Sequence, residues 1–234
     1  MSPNQDDRPT ATPIDVLVLH ATGTRSAAEA MARMCDPAER ASMHYVVDVD
    51  GAVLRLVAED RRAFHTGGGS WRDMAALDER SIGIAVVDPR HDANDRRHPV
   101  LQMAAVCDLC LHVLSRHRIP ARNIVAYGDI APDRSPGSGE LFDWQGLAHN
   151  GVGLFPKDVP DLGTGGAVRD AVGLRGARRA LADIGYRVAP EGELDPALSA
   201  VLRAFQRHWR AEAVTGQADA GTLARLLAVV RAVS

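Results

Sequence analysis

The sequence predicts an α/β (α+β) protein, with a mixed central β-sheet flanked by helices and followed by a small three-helix domain. Three observations carry this. Short β-branched or apolar runs alternate with helical stretches as far as Phe155, a Pro- and Gly-containing stretch then breaks the pattern, and only helical spacing follows. At 234 residues the chain suits one medium and one small domain, with enough apolar surface for one core or two.

The predicted strands are Val16 to Leu19, His44 to Val49, Val53 to Val57, Ile82 to Val87 and Ile124 to Ala126, each bounded by Gly, Asp or Pro. Asp50-Gly51 between two of these runs is a hairpin turn, because both residues tolerate positive φ. Helices are expected near Ser26 to Met34 and Val100 to Arg118. Beyond the PKDVPDLGTGGA linker, Val168 to Ile184, Leu198 to Arg210 and Ala220 to Val230 carry apolar residues at three and four spacing. Asp195 and Asp219 stand at N-cap positions, and Pro196 suits a first helical position. The expected division is a flexible N-terminus (1–13), a first domain (14–155), a linker (156–167) and a helical domain (168–232).

A net charge of −3 gives no electrostatic reason to expect nucleic acid or an anionic membrane as partner. SPNQDDRPTATP after Met1 has neither a basic nor an apolar leader region, and no run approaches the ~20 apolar residues of a membrane span. A cytoplasmic location without membrane insertion is therefore expected, with a periplasmic location or release by lysis as the alternative if a leader is missing. Cys35, Cys107 and Cys110 are odd in number, which argues against a disulfide framework. The Cys107-x-x-Cys110 pair falls on an apolar helical stripe, where core packing outweighs a redox or metal role.

The segment Ile124 to Trp144, IVAYGDIAPDRSPGSGELFDW, is the most informative stretch. It occurs with IDVLVLH ending at His20, SMHYVVDVDG from Ser42, RAFHTGGGSW from Arg62, and SIGIA from Ser81. In this order and spacing the blocks resemble the zinc-dependent N-acetylmuramoyl-L-alanine amidases, a type 2 amidase or peptidoglycan recognition protein fold whose members cut the lactyl amide between sugar and peptide. The family's two zinc histidines and zinc aspartate fall on His20, Tyr127 and Gly137. Its glutamate falls on Ala85, and its lysine on Ser135.

A catalytic zinc needs three protein ligands and lowers the pKa of its bound water from ~15.7 to about 7. A glutamate would serve as general base, and a lysine would stabilise charge on the attacked carbonyl. Four of these five positions are replaced, so the resemblance implies a pseudo-amidase that binds peptidoglycan or muropeptide without hydrolysis, with no catalytic residue, no cofactor, and His20 as a vestigial ligand. One alternative is an active amidase with an atypical zinc set drawn from His20, His44, His65 and nearby carboxylates such as Asp129, Asp133, Glu140 or Asp143. Another is a regulatory module with a protein partner.

Substrate contacts are expected at His44, His65, Trp71 and Asp78, with structural or packing roles as the competing reading. Asp129 and Arg134 are expected to pair and fix the loop, with Trp144 as a packing anchor beneath it. The second unit resembles the peptidoglycan-binding domain often attached to such amidases, on Gly185-Tyr186, Gly192, Asp195, Ala204-Phe205-Gln206, Trp209 and Gly216 to Thr222. Most of these residues also serve as turn glycines, caps and core aromatics.

Overall fold

A computed structural model describes residues 1–88, 97–134, 141–160, 166–168 and 170–234. A five-stranded mixed sheet forms the centre, in the order β4 (Val53–Arg55), β3 (Tyr45–Val47), β6 (Ser81–Val86), β2 (Val16–Ala21) and β7 (Ile124–Ala126). Strands β3, β6, β2 and β7 run parallel to one another, and β4 closes the Asp50-Gly51 hairpin antiparallel to β3. Gly51 takes φ of 89°, as that turn requires.

Strands β2 and β6 are buried almost end to end, as parallel strands covered on both faces must be. Alternate residues serve two different cores. Leu17, Leu19, Ile82, Ile84 and Val86 pack against α2 (Val100–Arg116) through Val106, Leu109, Cys110 and Val113. Cys110 is fully buried there, as the helical stripe anticipated, and burial pushes its thiol pKa up. On the other face, Ala85 and Val46 meet Ala27 and Ala30 of α1 (Ala27–Met34).

Val16, Val18 and Val125 face the C-terminal helices instead. After two short helices, α3 (Tyr127–Ile130) and α4 (Trp144–His149), these are α5 (Ala171–Ile184), α6 (Pro196–Trp209) and α7 (Ala220–Val233), capped by Asp170, Asp195 and Asp219 through side-chain oxygens. One core runs from the sheet through Trp71 and Leu77 into Leu181, Ile184, Phe205 and Trp209, so the helical unit is a wall of the first domain. Arg72 reinforces the junction by donating to the carbonyl of Ile184 (2.9 Å), an end-of-helix acceptor that α5 cannot satisfy itself. Gly185, next in the chain, has φ of 139°, and a Cβ there would meet Arg72 and Trp71 at 2.6 and 2.8 Å.

The N-terminal segment, expected to be flexible, forms β1 (Gln5–Asp7), antiparallel to β5 (Arg61–Ala63). Buried Ser2 and Asn4 hold it through bonds to Met34, Asp36 and Ala41 carbonyls. Among the described residues no helix is long and apolar enough to cross a membrane.

Candidate functional site at the strand ends

In open parallel sheets, ligands gather outside the carboxyl ends of the strands. Here His20 lies near the end of β2 in register with Ala85 of β6, and Tyr127 follows β7 directly. Tyr127 stacks on the His20 ring with centroids 4.9 Å apart, while His65 meets it edge-on at 5.2 Å. Gly83 makes this approach possible, because a Cβ at that position would lie 2.7 Å from His65 Nδ1.

Hydrogen-bond directions assign the tautomers. The Ser81 hydroxyl donates to Leu77 O at 2.6 Å, so its oxygen accepts from His65 Nε2–H at 3.0 Å. His65 Nδ1 then accepts from His20 Nε2–H at 3.1 Å, which leaves the lone pair on His20 Nδ1. Burial, then the neighbouring imidazole, holds both pKa values well below the ordinary histidine range, so both rings are neutral at pH 7.

The other expected contacts are placed differently. His44 is fully buried, accepts from the Gly83 N–H at 2.9 Å and donates to Arg61 O at 3.1 Å, and burial followed by nearby Arg8 lowers its pKa to about 3. It bridges backbone segments and has no free nitrogen for substrate. Asp78 accepts from the His65 and Thr66 N–H groups at 2.9 and 2.7 Å, fixing the loop that carries His65. Trp71 is 2% exposed and packs on Tyr186 inside the junction. Of the four, His65 alone joins the strand-end cluster.

Contrary to the sequence expectation, Asp129 does not pair with Arg134. It accepts from the Ala126 N–H (2.8 Å), Tyr186 Oη (2.6 Å) and His208 Nδ1 (2.6 Å). His208 is stacked between Trp144 and Trp209, with centroids 3.8 and 4.0 Å away. Trp144 thus anchors the loop through a residue of the second domain. Arg134 reaches the Gly67 carbonyl instead.

Sequence reasoning also missed Arg8, whose guanidinium donates to the carbonyls of Glu59, Asp78, Glu79 and Ser81. Its only sequence signal is an isolated arginine ahead of the first domain. Ser135, Gly137 and Glu140 lie outside the described residues.

Among the described residues no three His, Cys, Asp or Glu side chains converge on a point that could hold a metal ion. Two imidazoles bonded to each other beside a phenol fall short of a three-ligand catalytic set, so the described residues do not fit a zinc ion.

A buried mixed sheet with a polar cluster at its strand ends, walled by a three-helix unit, defines a mixed α/β protein with an appended helical domain. The chain belongs to the N-acetylmuramoyl-L-alanine amidase family, whose profile it matches over residues 10–138, and residues 173–226 match the peptidoglycan-binding domain family. The N-acetylmuramoyl-L-alanine amidase AmiD of Escherichia coli K12 is 32% identical over 226 residues, 90% of this chain and 80% of AmiD. The 1,6-anhydro-N-acetylmuramyl-L-alanine amidase AmpD of Citrobacter freundii is 31% identical over 106 residues, 45% of this chain and 54% of AmpD.

The structure of E. coli AmiD with the substrate anhydro-N-acetylmuramic acid-L-Ala-D-gamma-Glu-L-Lys superposes with a TM-score of 0.83 at 29% identity, covering 96% of this chain and 92% of that one. Pseudomonas aeruginosa AmpDh3 with anhydromuramic pentapeptide gives 0.77 at 26% identity, covering 97% and 96%.

These matches overturn the expectation of a binding protein without hydrolysis, since both domains align with amidases solved with substrate or muropeptide bound. They favour the alternative of an active amidase, whose set already included His65, and the fold places His65 Nδ1 3.1 Å from His20 Nε2 at the strand end.

Proposed function

We propose that this chain hydrolyses the lactyl amide between muramic acid and L-alanine in peptidoglycan fragments, with the helical domain contributing to recognition of the same polymer. The observation that carries this reading is the alignment of both domains with AmiD, an amidase solved with its muropeptide substrate. His20 Nδ1 holds an unprotonated lone pair beside the strand ends and orients the attacking water, while His65 and Ser81 fix the ring that bears it. The Tyr127 hydroxyl, next to Gly67, is a donor for the carbonyl oxygen of the substrate.

The test is incubation of an anhydromuramyl tripeptide with purified protein, followed by mass spectrometry. Release of free tripeptide, lost in His20→Ala, is expected. Intact substrate after prolonged incubation with added zinc would overturn the reading.

A further inference from the structure

Two residues of one short segment fix His65. Asp78, in the 3-10 turn Leu77–Glu79, accepts from the His65 backbone N–H at 2.9 Å, and Ser81, the first residue of β6, accepts from the His65 ring at Nε2–H, 3.0 Å away. The other ring nitrogen meets His20 Nε2 at 3.1 Å. The pose of His20 is therefore set, through His65, by residues 77–81.

That segment is held in turn by a residue from the N-terminal strand. Arg8 follows β1 directly, and Pro9 after it disfavours helical backbone there, so the strand ends extended. Arg8 Nη1 donates to the carbonyls of Asp78 (3.1 Å) and Glu79 (2.8 Å), Nη2 to that of Ser81 (2.8 Å), and Nε to that of Glu59 (3.0 Å). Both residues that bond His65 thus have their own carbonyls bonded by one guanidinium. Nη2 also lies 2.9 Å from His44 Nε2, and the His44 ring meets His65 edge-on with centroids 5.8 Å apart. Burial lowers the Arg8 pKa only to about 10, so the group is charged at pH 7. Carbonyls spread over residues 59 to 81 suit the planar fork of arginine, whose N–H donors diverge, and not the compact ammonium of lysine.

We propose that Arg8 is a positioning residue, which locks residues 77–81 from the N-terminal strand and so orients the His65–His20 pair for hydrolysis. This rests on the amidase reading above and extends it to a segment that the family profile, which begins at residue 10, does not cover. Arg8 bonds the amino end of β6, whereas His20 stands near the carboxyl end of β2. The guanidinium therefore acts through the pair and not on the substrate.

The test combines imidazole NMR spectra with cleavage kinetics on an anhydromuramyl tripeptide, in the wild type, Arg8→Ala, Arg8→Lys and Asp6→Asn. Asp6 lies on the same strand and accepts from Arg62 Nε at 2.6 Å, so its substitution loosens β1 without touching residues 77–81. Arg8→Ala should shift the His20 and His65 imidazole signals and lower kcat about tenfold or more, with KM within about twofold of wild type. Arg8→Lys keeps the charge and most of the stem but should behave as Arg8→Ala does, and it carries both readouts if the alanine variant does not fold. Asp6→Asn should keep wild-type signals and kcat.

Unshifted imidazole signals in the Arg8 variants, wild-type kcat in both of them, or equal losses in Asp6→Asn at the same drop in melting temperature would each overturn the role of Arg8. Cleavage by the wild type with any of these results would leave the amidase reading standing. Signals shifted in the Arg8 variants and unshifted in Asp6→Asn, with no cleavage by the wild type, would do the reverse.

Discussion

Two buried polar clusters sit on the same face of the sheet and are satisfied in different ways. At the strand ends, His20, His65 and Ser81 bond in series within the first domain, and the series stops at a lone pair on His20 Nδ1. At the junction, Asp129 is closed off by Tyr186 and His208 of the second domain, with His208 clasped between Trp144 and Trp209. A polar group left with unused capacity is available to a ligand, whereas a saturated one fixes geometry. The first cluster is therefore open to a ligand, and the second fixes the segment that carries Tyr127.

Removing the saturated cluster should have the largest effect. Asp129→Ala leaves the Tyr186 hydroxyl and the His208 ring buried without their acceptor, and should cost about 3–5 kcal/mol of unfolding free energy. Urea denaturation measures this. A loss below about 1 kcal/mol would mean that the two domains are not locked through Asp129.

A third polar group separates pH effects from both clusters. Burial opposes ionisation of Glu59, but hydrogen bonds from Arg116, Tyr45 and His117 outweigh it and bring the carboxyl to about 2. Because this folded value lies below the unfolded one, the stabilisation is complete above about pH 4.5 and is lost as pH falls toward 2. It amounts to about 1–3 kcal/mol after allowance for solvent screening. Glu59→Gln should lower stability at pH 7 by that amount and flatten the acid limb in pH-dependent denaturation. An unchanged acid limb would place the titration elsewhere.

The strand-end cluster is probed by Gly83→Ala, whose new methyl group would meet the His65 ring at 2.7–2.9 Å. A cost of about 1–3 kcal/mol is expected, together with altered imidazole NMR signals of His20 and His65. Unshifted imidazole signals would show that the pair is not built against Gly83. The smallest effect concerns the helical wall. Asp195→Ala removes the N-cap acceptor of α6 for Leu198 N–H (2.7 Å) and should cost about 1 kcal/mol in thermal denaturation.

The sheet, the Asp50-Gly51 hairpin and the caps at Asp195 and Asp219 were legible because each depends on local spacing or turn chemistry. The position of His20 was legible because a strand ending in histidine stands out from its apolar run, but the sequence read it only as a vestigial ligand. The Asp129 cluster was not, since its partners lie 57 and 79 residues away in another domain, and nothing local marks a tyrosine or histidine as an acceptor's partner. Trp71 misled for a related reason. An aromatic in a glycine-rich loop fits a binding platform as well as a core anchor, and the docking of α5 decides between them. Strand β1 escaped because its residues, Gln5 to Asp7, carry no β-branched or apolar pattern.

The central claim is that the open end of the strand-end cluster performs hydrolysis. Mass spectrometry of an anhydromuramyl tripeptide incubated with wild-type, His20→Ala and Asp129→Asn proteins tests it most directly. Free tripeptide from the wild type, none from His20→Ala, and a reduced yield from a folded Asp129→Asn is the predicted result. Equal yield from wild type and His20→Ala, or no product from the wild type with or without zinc, would contradict it.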